Sequence, residues 1–363
     1  MSWLLAFLGF AALIVLHELG HFAAAKAVGM RVERFALFFP PILKSVKRGE
    51  TEYAIGSIPL GGYVRITGMN PHEEIPKSVE HRAYFRQPVW KRIVVILAGP
   101  LVNLVLAFLI LWGLALTVQG GKLAFPTNRV EAVEAGSPAA GKLRPGDVIV
   151  AVDGQRGGPG VVRKQLGNHP CEPRLQDGCR AQTPARVVVR RDGAEKTFSL
   201  VPVYDADPRV KAMRIGFAFG QREEPVNPVN AAQVSVQQMW LVTTLTVQTI
   251  ARIFDPEDRK ELSSVVGGYE TTRQAFESDT RRALGVLGLI SLSLAVINLF
   301  PFLPLDGGHI FWALAEKVSG RRIPVIVMER AGLVGFALVL ALFFIGLNND
   351  IARLRGDGFD LPR

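Results

Sequence analysis

The sequence predicts a polytopic α-helical membrane protein of four transmembrane helices, with a β-rich soluble domain inserted between the second and the third. Three observations carry this. Apolar residues make up 49% of the 363-residue chain and charged residues only 20%, and the apolar ones are bunched into four long uncharged runs. Each run is near the ~20 residues that cross a hydrocarbon core at ~1.5 Å rise per residue. The stretch between the second and third runs turns instead to Gly, Pro and charge spacing short β-branched segments. A chain so apolar and so poor in charge is neither mainly disordered nor fibrous.

The runs lie at residues 3–25, 93–118, 283–305 and 325–347. The first has the length of a secretory signal but no basic n-region, and cleavage after Ala23 to Ala25 would discard His17, Glu18 and His21, so it is read as retained. Basic residues cluster at three places: Lys26, Arg31, Arg34, Lys44, Lys47 and Arg48 after the first run, Lys91 and Arg92 before the second, and Lys317, Arg321 and Arg322 between the third and fourth. Such clusters face the cytoplasm. Both termini and residues 120–282 then lie outside. The surplus of 42 Lys and Arg over 32 Asp and Glu is thereby a topology signal toward the lipid bilayer, with no nucleic-acid partner required.

In the insert, residues 185–189 and 196–201 are extended and flank Asp192-Gly193, a dipeptide suited to positive φ in a tight hairpin. Upstream, residues 130–154 read as a strand, a short helix opened near Ser137-Pro138, Gly146-Asp147 and a second strand. Leu143, Arg144, Pro145, Gly146, Asp147, Ile149 and the Asp153-Gly154 turn resemble a PDZ domain of the circularly permuted bacterial type, over roughly residues 122–205. That resemblance implies either peptide binding by strand addition or a spacer that limits access. Cys171 and Cys179, the only cysteines, sit in a polar Pro-Gly loop of the insert, where a disulfide and two free thiols are both open. Residues 230–254, with Met239, Trp240, Leu245, Ile250 and Phe254 among Gln and Thr, form a further helix too polar to span, on the outer membrane surface or against the helical core.

The chemistry begins in the first run, whose only titratable side chains are His17, Glu18 and His21. Ionisable groups are costly in lipid and need compensation. On a helix His17 and His21 share a face one turn apart, so both rings can address one ion, while Glu18 beside them can reach a water on it. Embedding of this HExxH pattern in an uncharged run points to zinc. A catalytic zinc takes three protein ligands, so a third must come from elsewhere. Asp306 is the candidate, within NLFPFLPLDGGH (residues 298–309), where Pro301, Pro304, Gly307 and Gly308 argue for a broken helix that lines a site. Two neutral histidines, one carboxylate, Zn²⁺ and hydroxide sum to zero charge, which suits an apolar surrounding. His309 competes, and is read as an outer partner instead of a ligand.

The HELGH of the first run, together with the spacing from Asn298 through Pro301 to Leu305-Asp306-Gly307-Gly308, resembles the site-2 protease family of intramembrane zinc metalloproteases. Four spans, one external PDZ, and the segments GSIPLGGYVRITGM and AGPLVN make the resemblance to the bacterial regulated-intramembrane-proteolysis type nearly chain-wide. It differs from two-PDZ members in having one such domain and in LSSVVGG at residues 262–268, where those members have Ser-Gly-Pro. It implies His17, His21 and Asp306 as zinc ligands, Glu18 as catalytic residue, and a membrane-reentrant β-loop near residues 53–69.

That stretch, with Tyr53, Ile55, Ile58, Leu60, Tyr63, Val64 and Ile66 interrupted by Pro59, Gly61 and Gly62, reads as a short hairpin or loop. It offers a substrate edge or packs on its own spans. Asn298 either clamps a substrate amide or bonds internally. Asn103, Gly99 and Pro100 mark a kink and helix contact near the active centre, for which a purely structural role suffices. The organisation expected is a first half of the protease core (1–121), the PDZ (122–205), an extracytoplasmic linker with the amphipathic helix (206–282) and the second half of the core (283–363). The activity expected is cleavage of single-span membrane proteins, anti-sigma factors and remnant signal peptides, at the bacterial inner membrane with the PDZ extracytoplasmic. A PDZ-bearing metal-binding scaffold and a zinc transporter are the alternatives, and neither gives Glu18 a duty.

Overall fold

The computed structural model describes all residues except 71, 72, 172–175, 208, 209, 211, 253–258, 260, 261, 322 and 357–363, and the side chains of 59, 60 and 325 are outside the description. Phe254 and Arg322 therefore lie outside the described residues. In chain order the elements begin with α1 (Ser2–Ala27), β1 (Val32–Arg48), β2 (Thr51–Ile66) and α2 (Val89–Leu116). There follow β3 (Lys122–Val133), β4 (Val148–Val152), β5 (Gln155–Arg156), α3 (Pro159–Gly167), β6 (Ala185–Arg191), β7 (Ala194–Leu200), β8 (Val203–Asp205), β9 (Ala212–Arg214) and β10 (Phe217–Pro225). The chain then returns to helices: α4 (Pro228–Ala251), α5 (Val265–Ser278), α6 (Thr280–Asn298), α7 (Asp306–Ser319) and α8 (Val325–Arg355). It divides into two units, Met1–Thr117 with Pro228–Arg363, and the insert Val118–Asn227.

In the first unit α1, α2, α6 and α8 are long and apolar enough to cross a membrane. Helix α1 buries Leu13, His17, Gly20, His21 and Ala25, a stripe at helical spacing that faces α2. Two glycines let these backbones approach: a β-carbon on Gly20 would lie 2.6 Å from the Ala98 carbonyl, and one on Gly99 would strike the His21 ring. The last carbonyls of α2, orphaned at a helix end, are met by Arg281, which donates to Leu114 O at 2.8 Å and Thr117 O at 2.5 Å. Helix α4 lies against α2 and α6, with Asn230, Ala231 and Ser235 buried. Its Met239 and Val242 join the cluster of Ala107, Leu292 and Val296, so of the two placements the sequence left open, the one against the helical core is found.

The third apolar run stops being helical at Asn298, short of residue 305. The chain turns over residues 299–305 and restarts as α7 at Asp306, the broken geometry expected from its prolines and glycines. The turn is tight: β-carbons on Gly307 and Gly308 would lie 2.2 Å from Leu299 O and 2.5 Å from Leu303 N. Elsewhere in the unit, buried Asp350 of α8 caps α5. It accepts from two backbone N–H groups of the helix start, Ser264 N at 2.7 Å and Gly267 N at 3.0 Å, which have no partner within the helix, and from the hydroxyl of the N-cap Ser264 at 2.6 Å. From α5 the Tyr269 hydroxyl donates to Trp3 O at 3.0 Å.

The stretch read as a short hairpin is longer than expected. Its partner β1 falls in the basic segment after α1, and residues 34–37 pair on both sides, with 62–65 and with 52–55. The turn joining β1 to β2 is pinned by Glu50, which accepts from Lys26 at 2.7 Å and from both Arg82 terminal nitrogens at 2.6 and 2.8 Å. Arg82 first, then Lys26, hold that carboxyl at about 2, well below the usual carboxylate value.

The insert carries a sheet of order β10-β3-β4-β6-β7 with β5 on β4, and a separate β8–β9 pair. Its core is Val130, Leu143, Ile149, Val152, Val187, Val189, Leu200 and Ile215 with Val162 and Leu166 of α3, each such side chain gaining about 1.5–3 kcal/mol on leaving water. The hairpin at Asp192-Gly193 has both residues at positive φ, 55° and 81°. The expected helix at Ser137-Pro138 is instead a run of turns, because Gly136 and Gly141 at φ 75° and 74° bracket it and Ala139 N is drawn to Ile215 O. The sheet also extends past residue 205, since β10 pairs with β3 from Phe217 to Pro225 and takes residues assigned to the linker into the insert. Cys171 and Cys179 form a disulfide beside Ala181 and Met213.

Candidate metal centre

Helix α1 brings His17 and His21 to one face because they are four residues apart, and their Nε2 atoms lie 3.3 Å from each other. The turn before α7 then delivers Asp306, whose Oδ2 lies 3.3 Å from each of them. Among the described residues this is the one His/Cys/Asp/Glu group whose ligand atoms converge in this way. His309, one turn further along α7, is not part of it.

The triangle fits a tetrahedral metal. Ligand bonds of about 2.0–2.1 Å place tetrahedral vertices roughly 3.3–3.4 Å apart, which matches the three 3.3 Å edges. Asp306 Oδ2 is buried and has no hydrogen-bond partner among the described residues, a costly state for an acceptor that nothing coordinates. Two imidazoles and a carboxylate are also a donor set that suits zinc.

Each ring is oriented through its other nitrogen by α2. His21 Nδ1 lies 2.9 Å from Val95 O, which requires Nδ1–H and leaves Nε2 with its lone pair toward the triangle. Pro100 has no N–H to offer Ile96 O, so the α2 ladder is already open one residue beyond Val95. His17 Nδ1 lies 3.2 Å from the Asn103 amide, and Asn103 is fully buried.

Glu18 is half-buried on α1 beside this group. Gly62 of β2 comes against it: a β-carbon there would lie 3.0 Å from Glu18 Cγ and from Ala36 O. Gly61 lies on the Phe39 ring, with a would-be β-carbon 2.8 Å from Cε2, and Tyr63 stacks on the same ring at 6.1 Å and accepts from Arg34 at 3.2 Å. Gly62 is thus brought to the centre, while Gly61 and Tyr63 line Phe39. Asn298 is half-buried as the last residue of α6, and among the described residues its side chain makes no hydrogen bond. Strand β1 with Phe39 is not anticipated by the sequence, whereas Gly99 and Asn103, expected at a kink and helix contact near the active centre, meet the rings of His21 and His17. The signal for them was the AGPLVN segment, small and polar residues in an otherwise apolar helix.

The model of peptidase family M50 matches residues 5–342. The chain is 32% identical over 344 residues to zinc metalloprotease Rip1 of Mycobacterium tuberculosis, covering 84% of this chain and 83% of that protein. It is 30% identical over 353 residues to a provisionally named zinc metalloprotease of Nostoc sp., covering 94% and 93%. A provisionally named zinc metalloprotease of Synechocystis sp. is 32% identical over 340 residues, covering 92% and 89%.

Proposed function

The chain belongs to peptidase family M50 and is a metalloprotease, and from that premise we propose that it is an intramembrane zinc endopeptidase of the bacterial inner membrane. The observation that carries this reading is the set of 3.3 Å separations joining His17, His21 and Asp306, with both histidines on a helix apolar enough to span. These three residues would hold the zinc. When bound, zinc polarises a carbonyl and lowers the pKa of water toward ~7. Glu18 takes the proton from the attacking water and passes it to the leaving amine.

Substrates are membrane-spanning segments of single-span proteins, anti-sigma factors and remnant signal peptides being the classes proposed. Such a segment hides its amides in helical hydrogen bonds and must be held extended to be cut. The edge of β2 at residues 61–66 takes it by strand addition, a role supported by the approach of Gly62 to Glu18. Asn298 clamps the extended chain with its amide. The β1–β2 sheet is a membrane-reentrant loop, which the exposed Phe39, Leu43, Ile55 and Ile58 support. The insert is a PDZ domain on the extracytoplasmic side. In it, β10 is an edge strand, and Arg163 of α3 lies 5.2 Å over Phe219 of β10.

The test is cleavage of a helical single-span peptide by the reconstituted protein. Glu18→Gln is expected to keep one zinc per chain and to lose roughly 10²–10⁴-fold in rate. Undiminished cleavage by that variant overturns the base assignment. Zinc flux into sealed vesicles without cleavage overturns the protease reading. Membrane proteomics comparing cells with wild type and Glu18→Gln should show the uncut substrate accumulating in the variant.

A further inference from the structure

The fully buried Asn103 amide has Nδ2 3.2 Å from His17 Nδ1, while its Oδ1 is buried with no hydrogen-bond partner among the described residues. This arrangement bears on the tautomer of His17. Of the two imidazoles, His21 has its Nδ1–H settled by a backbone carbonyl that no side-chain substitution removes. His17 faces only a side chain, and one whose two ends have opposite hydrogen-bonding character. To coordinate through Nε2, His17 must carry its proton on Nδ1, and that proton then needs an acceptor. Nδ2 cannot accept. Oδ1 can, and it is the end now lacking a partner. The two ends of an amide are alike in shape, so a half-turn about the last side-chain bond exchanges them without moving the helix.

Resting on the reading of His17, His21 and Asp306 as metal ligands, we infer that Asn103 is the positioning residue for His17. In the metal-loaded form its Oδ1 accepts from His17 Nδ1–H, fixing the tautomer that turns Nε2 toward the ion. Helices α1 and α2 thus share the labour: α1 supplies both imidazoles, and α2 supplies both acceptors, Val95 O and Asn103 Oδ1. The backbone of Asn103 is held separately, its carbonyl accepting from Ser291 Oγ of α6 at 2.9 Å, so the helix contact at this point does not depend on the amide.

The experiment is chelator-competition measurement of zinc affinity on the purified full chain, with the visible spectrum of the cobalt(II)-substituted protein as a second readout. Asn103→Leu keeps the volume and removes the acceptor; it should weaken zinc roughly 10–100-fold and alter the cobalt spectrum. Asn103→Asp restores an acceptor and has nothing to donate, and it should stay within about threefold of wild type, carboxylate partners to metal-bound histidine being common. Ser291→Ala disturbs the helix contact alone and should leave affinity and spectrum unchanged. Wild-type affinity in Asn103→Leu overturns the inference, as does a loss in Asn103→Asp equal to that in Asn103→Leu, which would make the amide a donor. An equal loss in Ser291→Ala overturns it in favour of packing. If wild type itself binds no zinc, the metal-site reading fails first, and the two failures are told apart by that one sample.

Discussion

Gly99 lies flat against the imidazole of His21: a β-carbon at position 99 would sit 2.2 Å from Nε2, 2.5 Å from Cε1 and 2.8 Å from Cδ2. The ring reaches Val95 O only because the intervening helix surface is bare.

Gly99→Ala should therefore displace the His21 ring while leaving α2 intact, since alanine favours a helix. A ligand displaced by about 1 Å costs on the order of 10²-fold in rate. Zinc content and peptide cleavage on the reconstituted protein check this, with circular dichroism to confirm unchanged helix. Retention of both full affinity and full rate would refute the close approach.

Gly62 should tolerate no branched side chain for a different reason. Gly62→Val places atoms where Glu18 Cγ and Ala36 O already lie, at 3.0 Å from the first β-carbon. Cleavage should fall at least tenfold and zinc binding persist, because the histidines and Asp306 are untouched. A variant that loses zinc as well would mean the strand supports the metal group directly.

The Glu50 carboxyl, held at about 2 by Arg82 and Lys26, makes the anchoring of the β1–β2 turn pH-dependent. Its folded value is depressed, so the stabilisation is fully present above the usual carboxylate value and is lost as pH falls toward 2. Hydrogen exchange of residues 44–55 should quicken as pH is lowered through that window, after correction for the intrinsic rate. Glu50→Gln should raise exchange at pH 7 and flatten the profile. An unchanged profile in Glu50→Gln would remove this carboxyl as the anchor.

The disulfide of the insert closes a short loop, with Cys171 and Cys179 eight residues apart. Loop-closure entropy assigns such a bridge about 2–3 kcal/mol. Cys171→Ser with Cys179→Ser, in the full chain, should make residues 176–214 more susceptible to limited proteolysis. The helical unit should keep its fragment pattern. Equal susceptibility with and without the bridge would show that the β8–β9 pair stands without it.

The candidate site is legible where its residues are chemically out of place: His17, Glu18 and His21 break an uncharged run, and Asp306 follows a segment whose prolines and glycines stop a helix. Periodicity could not reveal β1, because Lys44, Lys47 and Arg48 and the Pro40-Pro41 pair hide a strand whose partners lie on both sides of it. Nor could it reach β10, whose pairing with β3 joins segments far apart in sequence. The helix expected at Ser137 failed because local propensity yielded to glycines at positive φ and to Ile215. Asn103 and Gly99 stand out in an apolar run, but which ring each touches is set by the packing of two helices.

The Asp350 cap joins segments far apart in the chain. Trp3, at the start of the helix that bears the histidines, is tethered by Tyr269, and the helix carrying Tyr269 is itself capped from α8. Helix α8 is thereby coupled through two relays of hydrogen bonds to α1, although it contributes none of His17, Glu18, His21 or Asp306.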